Sequence, residues 1–209
     1  MRSEWVSTRC VFETITRDQE PTMNRILLIT CLLLLGGCAK QPVIANLNPN
    51  LGDQPPGIYA RGISATISGK DARKSAEVVI FLNDEPPGRL ANVSAPVDLI
   101  AARLGAGLRD QGLVIEPSAP VRLNFVINEL LVQVTRKNLR YTAEGKTHIV
   151  LTVENRGTVF TRVFKREAYN DSATRPDLPD LEKMLNTQLA DIGRQILQDE
   201  EIRQLIGRK

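Results

Sequence analysis

Residues 121–134 read VRLNFVINELLVQV, and their alternation decides the fold. Val121, Leu123, Phe125 and Ile127 carry the apolar side chains on odd numbers. Leu130, Val132 and Val134 carry them on even numbers. A strand sends successive side chains to opposite faces, so a change of parity turns the apolar set over. One extra residue at Asn128-Glu129 restores a single apolar face, and a β-bulge is expected there. A strand this long, apolar on one side only, calls for a sheet with one covered face.

The pattern continues outward. Leu139 to Glu154 places Leu139, Tyr141, Ala143, Ile149, Leu151 and Val153 on one face. Arg140, Thr142, Glu144, Lys146, His148 and Thr152 fall on the other. Asn155-Arg156-Gly157 has the composition of a hairpin loop, and Thr158 to Tyr169 is the partner strand. Upstream, Leu113–Glu116 is a short strand closed by Pro117 and Pro120. Ile63–Ser68 alternates as a half-buried strand before a Gly69-Lys70-Asp71 turn, and Val78–Leu82 is a second short one.

Two helices complete the pattern. Ser94-Ala95-Pro96 is a start signal, a capping hydroxyl followed by proline in the first turn. Val97, Ile100, Leu104 and Leu108 share one face, and Gly112 supplies the stop. Gly105 and Gly107 lower helix propensity and permit close packing. Leu181, Leu185, Leu189, Ile192 and Ile196 form the stripe of a last helix opened by Pro176–Pro179. Asp199 is placed to cap a final turn carrying Ile202, Leu205 and Ile206. The expectation is an α+β fold over residues 60–209: a mostly antiparallel sheet of five to six strands with two helices packed on one face.

The N-terminal part reads as a processed leader. Met23-Asn24-Arg25 is short and positive, Ile26–Leu35 is apolar, and Leu35-Gly36-Gly37-Cys38 ends it. This is the order of a secretory signal. An apolar run of about 10 residues is too short to span a bilayer, which takes about 20. Small residues before a cysteine form a lipobox. Cleavage is expected between Gly37 and Cys38, with the Cys38 thiol carrying a diacylglyceryl group and its amine a further acyl chain. Two or more chains make a lasting anchor where one does not. Residues 23–37 are therefore the signal peptide. Residues 1–22 place four acidic residues before Arg25, and translation is expected to start at Met23, the alternative being an extended leader that is removed with the signal. Residues 38–59 are expected to be the lipidated N-terminus and a Pro- and Asn-rich tether, with a first strand starting within it. Ala39, where aspartate would retain an enterobacterial lipoprotein in the inner membrane, points to the outer membrane, with the domain in the periplasm.

Charge and composition exclude several classes. The chain carries a net +3 with both signs interspersed, unlike the concentrated basic face of a nucleic-acid binder. Cys10 and Cys31 lie in the leader and Cys38 is used by lipid, so no thiol remains for disulfides, metals or nucleophilic catalysis. His148, the only histidine, lies on the polar face of its strand and is expected to be an ordinary exposed side chain. Phosphate-loop and nucleophile-elbow motifs are missing, and no metal or cofactor is expected. Arg136, Lys137, Arg140, Arg162, Lys165 and Arg166 come from neighbouring strands. They are read as a solvated face and edge protection rather than as an anion-binding patch.

From the lipobox onward the chain resembles the YajG family of enterobacterial-type lipoproteins. The matching stretches are Leu35–Lys40, Ile63–Ser68 with its Gly-Lys-Asp sequence, Leu108–Glu116 running into Pro120–Val134, Leu139-Arg140-Tyr141, Tyr169-Asn170 and the C-terminal helix. The resemblance implies an envelope lipoprotein without an established activity, and Cys38 is the one functional residue it carries over. The reading is of a non-enzymatic, lipid-anchored module that binds an envelope protein, lipopolysaccharide or peptidoglycan. A structural accessory of an envelope complex is the alternative, and a cell-wall-active enzyme comes third.

Overall fold

The structure, a computed structural model, describes residues 44–84 and 88–208. Seven strands form one sheet: β1 (Ser64–Asp71), β2 (Glu77–Phe81), β3 (Gly88–Ala91), β4 (Val114–Ile115), β5 (Val121–Lys137), β6 (Arg140–Asn155) and β7 (Thr158–Ser172). The helices are α1 (Pro96–Asp110), α2 (Leu178–Gln198) and α3 (Glu200–Gly207).

The 17-residue β5 is the axis of the sheet. Along one side it pairs antiparallel with β6, which pairs antiparallel with β7. Along the other side it has two partners end to end: β1 beside Val121–Ile127 and β2 beside Val132–Val134, both parallel. The bulge lies where the sequence placed it. Ile127 faces Ile149 and Glu129 faces His148, so Asn128 is the extra residue. Val121, Leu123, Phe125, Ile127, Leu130, Val132 and Val134 are consequently all buried on the same side. Arg156 and Gly157 both take positive φ between the paired Asn155 and Thr158. A two-residue loop of this kind matches the twist of the strands it joins.

The expectation of a mostly antiparallel sheet of five to six strands is corrected: the sheet is mixed, with parallel β1·β4, β1·β5 and β2·β5 pairings. Parallel neighbours need a crossover, and α1 supplies it between β1 and β4. Gly69-Lys70-Asp71, expected as a turn, is the end of β1 and pairs with Phe125–Ile127. Gly69 is small because a side chain there would collide with the Phe125 ring. β3 was not expected; its four residues are too few to show a period.

All three helices pack on one face. The α2 stripe Leu181, Leu185, Leu189, Ile192 and Ile196 is buried against the sheet, and Ile202, Leu205 and Ile206 of α3 join the same core. Asp199 caps α3 by accepting from the Ile202 amide at 3.1 Å, so the final turn is a third helix set off from α2. Ser94 makes no cap. Ala95 holds that position, with Pro96 in the first turn as expected.

The segment expected to be a tether is packed from Ile44 onward. Ala45, Leu47, Pro49 and Leu51 are buried while Ile44, Asn46, Asn48 and Asn50 are exposed. The Asn46 and Asn48 amides donate to Glu182 and Asn186 of α2, each at 2.7 Å, and Arg103 of α1 donates to Asn48. Leu51 sits on Gly193, where a side chain would leave it no room. Prolines and asparagines exclude helix here without preventing an extended strap, because an extended chain can bury alternate residues and donate its amides to side chains.

Two buried polar side chains of β6, Thr147 and Asn155, are paired to the helices. Gln188 of α2 donates to the Gly145 carbonyl at 3.0 Å and accepts from the Thr147 hydroxyl at 2.6 Å. Gly145 permits this approach, since a side chain there would meet Met184. Asn155 donates to the carbonyls of Leu205 and Arg208. Each contact pins a helix to a chosen strand position, because an unpaired buried polar group is costly.

Candidate functional site: the open sheet face and its break

The face of β5–β7 turned away from the helices is uncovered among the described residues. Pairing arranges its side chains in rows across strands. Val126, Val150 and Val163 stand in one row. The next row holds Ser68, Asn124, Thr152 and Thr161, in which Ser68 donates to Asn124 and the two threonine hydroxyls lie 3.1 Å apart. On the other side of the valines come Glu129, His148 and Lys165, then Leu131, Lys146 and Glu167. Adjacent strands lie about 4.8 Å apart, so such cross-strand neighbours touch.

Charge is ordered on this face. Lys146 bridges Glu144 at 2.5 Å, and the Tyr169 hydroxyl donates to Glu144 at 3.1 Å. Both contacts hold the Glu144 carboxyl below its ordinary range, the lysine contributing more. The same carboxylate raises the Lys146 ammonium and the Tyr169 phenol. His148 lies half-buried between Glu129 and Lys165, on the polar side as expected.

The break between β1 and β2 makes a cleft. β1 ends at Asp71 and β2 begins at Glu77, opposite the bulge, so the ladder along that side of β5 is interrupted. Arg73 fills the interruption. Its guanidinium reaches the carbonyls of Glu77 and Leu130 at 3.2 and 3.4 Å and pairs with Asp71 at 2.7 Å, and its side chain is only 5% exposed. The arginine replaces backbone donors that the interruption removes. Its hydrogen bond draws the Asp71 carboxyl below the usual aspartate value. Beside it opens a cleft of about 250 Å³, where Lys74, Ser75, Glu129, Leu131 and Gln133 contribute to the lining. These groups suit a polar ligand or the main chain of a partner. The cleft depends on the bulge and on the β1–β2 break together. The bulge was legible in the parity change, whereas the role of Arg73 had no sequence signal.

The six basic residues considered from sequence do not form one patch. Lys137 and Arg140 face each other at one end of the β5–β6 hairpin, whereas Arg162 pairs with Leu151 eleven residues further along β6. At about 3.3 Å per residue that is roughly 36 Å. Arg162 and Arg166 turn to the helix side, where Arg162 bridges Asp199 and Glu201 and Arg166 donates to Gln195. Arg136 lies over the Tyr141 ring. Gly37 and Cys38 lie outside the described residues, as do the whole signal peptide and Ala39.

Among the described residues, no group of three or more His, Cys, Asp or Glu side chains is placed to hold a metal ion. Among the same residues no helix is long and apolar enough to cross a membrane.

The chain is 25% identical over 185 residues to the uncharacterized lipoprotein YajG of Escherichia coli K12, covering 85% of this chain and 93% of that one. Among solved structures, protein XCC0632 from Xanthomonas campestris superposes with a TM-score of 0.49 at 9% identity, over 75% of this chain and 92% of that one. A neuraminyllactose-binding hemagglutinin homolog from Helicobacter pylori gives a TM-score of 0.49 at 10% identity, over 79% and 97%. The profile of the uncharacterized lipoprotein family matches residues 54–207, from the end of the strap to the last turn of α3. This chain therefore belongs to the uncharacterized lipoprotein family, the family of YajG.

Proposed function

We propose that the protein is a non-enzymatic binding module, anchored in the outer membrane by lipid on Cys38, whose periplasmic domain holds an envelope protein against its open sheet face. The observation that carries this reading is the division of labour between the two faces. The helices and the strap from Ile44 to Leu51 occupy one face, and among the described residues the β5–β7 surface is left free on the other. Val126, Val150 and Val163 present apolar area as a strip across three strands, rimmed by hydroxyls and paired charges. An apolar centre with a polar rim is the anatomy of a protein contact. The anchor rests on the lipobox and on membership of a lipoprotein family.

Two measurements test the proposal. Intact mass of the protein purified from membranes should equal Cys38–Lys209 plus three acyl chains and the glyceryl group, and Cys38→Ala should abolish the addition. An unlipidated product, or one keeping residues 1–37, sinks the anchor. Photo-crosslinking in cells from Val150, in the middle of the valine row on β6, should give a discrete protein adduct, with none from Lys183 on the helix side. An adduct with lipopolysaccharide or glycan in its place, or equal yields from both positions, sinks the choice of partner or of face.

A further inference from the structure

The two edges of the sheet are finished differently. On one side β4 is two residues long and β3 is four. The strap guards the end of β3: the Ala45 amide donates to the Ala91 carbonyl and the Ala45 carbonyl accepts from the Val93 amide. On the other side β7 runs for 15 residues without proline. Its ladder with β6 continues without a bulge from Tyr141↔Ser172 to Asn155↔Thr158. Among the described residues no other main chain pairs with its outer edge, and the Arg166 guanidinium folds back onto the Lys165 carbonyl at 2.8 Å. Proteins blunt exposed edges by shortness, proline, bulges or cover. Among the described residues β7 is not short, has no proline and no bulge, and its cover is one arginine side chain on the Lys165 carbonyl, which pairing would displace.

The charges of β7 are arranged to select a partner. We propose that β7 pairs antiparallel with β7 of a second copy, about a two-fold axis passing through Arg166. Lys165 then lies opposite Glu167 of the copy, and Glu167 opposite its Lys165. Val163 lies opposite Tyr169, and Thr161 opposite Asp171. All are on the open face, where Val163 is 53% and Tyr169 63% exposed. The adjacent registers that keep the same face outward set Lys165 against Lys165 or Glu167 against Glu167. Like charges directly opposite are destabilising and unlike charges favourable, so this register is preferred to both neighbours; an axis through Ala168 would pair Lys165 with Asp171 but shorten the ladder from thirteen residues to nine. Arg166 meets its copy on the helix side, in a hollow it shares with Asp191, Arg194 and Asp199; the aspartates are paired with Arg194 and Arg162, so this one like-charge approach is a cost set against the two Lys165–Glu167 pairs. Helix α2 packs over β6 and β7. Two strand spacings, about 10 Å, therefore separate it from its copy, an ordinary helix–helix distance. The dimer would join the two open faces into one continuous surface. The inference stands apart from the anchor and from the partner of the open face.

The test uses the full chain, lipidated and in membranes. Arg166→Cys should form a disulfide-linked dimer on mild oxidation, because opposed side chains at the axis come within about 5 Å. Ala168→Cys, on the same face but about 13 Å from its copy, should not. In sedimentation equilibrium of the detergent-solubilised protein, Lys165→Glu should weaken the dimer about tenfold, and Lys165→Glu with Glu167→Lys should restore it. A monomer at every concentration without an Arg166→Cys crosslink overturns the proposal. So does crosslinking at Ala168→Cys equal to that at Arg166→Cys, or a double charge swap no tighter than the single one.

Discussion

Strands β5, β6 and β7 present two faces made from the same backbone, and the two differ in what holds their side chains. On the helix side, Phe125, Ile149, Leu151 and Phe164 are at most 2% exposed, and the polar Thr147 at 1% has a dedicated partner in Gln188. On the open side, Val163 keeps half its surface and Thr161 answers only to Thr152. The covered face teaches that burial makes every atom matter, whether apolar or polar. The open face teaches that alternation alone sets which side chains are available, while charge pairs set their order.

Substitutions break or sharpen this contrast. The largest effect is expected from Leu185→Ala, at a fully buried position of α2. It should lower unfolding free energy by about 2–5 kcal/mol in denaturant titration, through lost burial and a cavity. Gln188→Leu should cost about 1–3 kcal/mol, because it strands the Thr147 hydroxyl and the Gly145 carbonyl loses a donor. Adding Thr147→Val should recover much of that loss, and a double-mutant cycle reads the coupling directly. A cycle without coupling would show that the pairing does not hold α2 in place.

The break between β1 and β2 gives a smaller effect that depends on pH. The folded Asp71 carboxyl lies below its ordinary value of 3.8 because Arg73 bonds to it. A depressed carboxylate stabilises the fold above its unfolded value, and that contribution is lost as pH falls through the folded one. Asp71→Asn should therefore flatten the loss of stability as pH falls below about 4, measured by denaturant titration at each pH. The smallest effect belongs to the open face, where Val163→Thr should change stability by less than about 0.5 kcal/mol while abolishing the photo-crosslinked adduct formed from neighbouring Val150. A cost of several kcal/mol there would mean the valine row is part of a core.

Much of this was legible in advance because period two and period 3.6 are local. The parity change at Asn128 showed the bulge, and the spacing of Leu181, Leu185, Leu189, Ile192 and Ile196 showed the face of α2. The strap was missed although it had a signal: Ala45, Leu47, Pro49 and Leu51 alternate with exposed neighbours. Proline and asparagine outweighed that alternation in the reading, because they argue against helix and against a self-contained strand. Its amides are satisfied by Glu182 and Asn186, more than a hundred residues away, and no local pattern reports that. The cleft was illegible for the same reason. Arg73 acts on the carbonyl of Leu130, which pairing alone brings near.

The sequence by itself determined which face of β5 and of β6 is apolar, where β5 gains its extra residue and where α3 is capped. Each of these depends on neighbours within a turn or two of chain. The tertiary structure alone decided that β1 and β2 share one side of β5, that Arg73 seals the break between them, that residues 44–51 strap α1 to α2, and that β7 is a long edge without a neighbouring strand among the described residues. Those depend on which distant segments meet. Alternation is indifferent to strand direction and partner, so the choice was made by the crossover through α1 and by the burial of side chains that only the assembled sheet brings together.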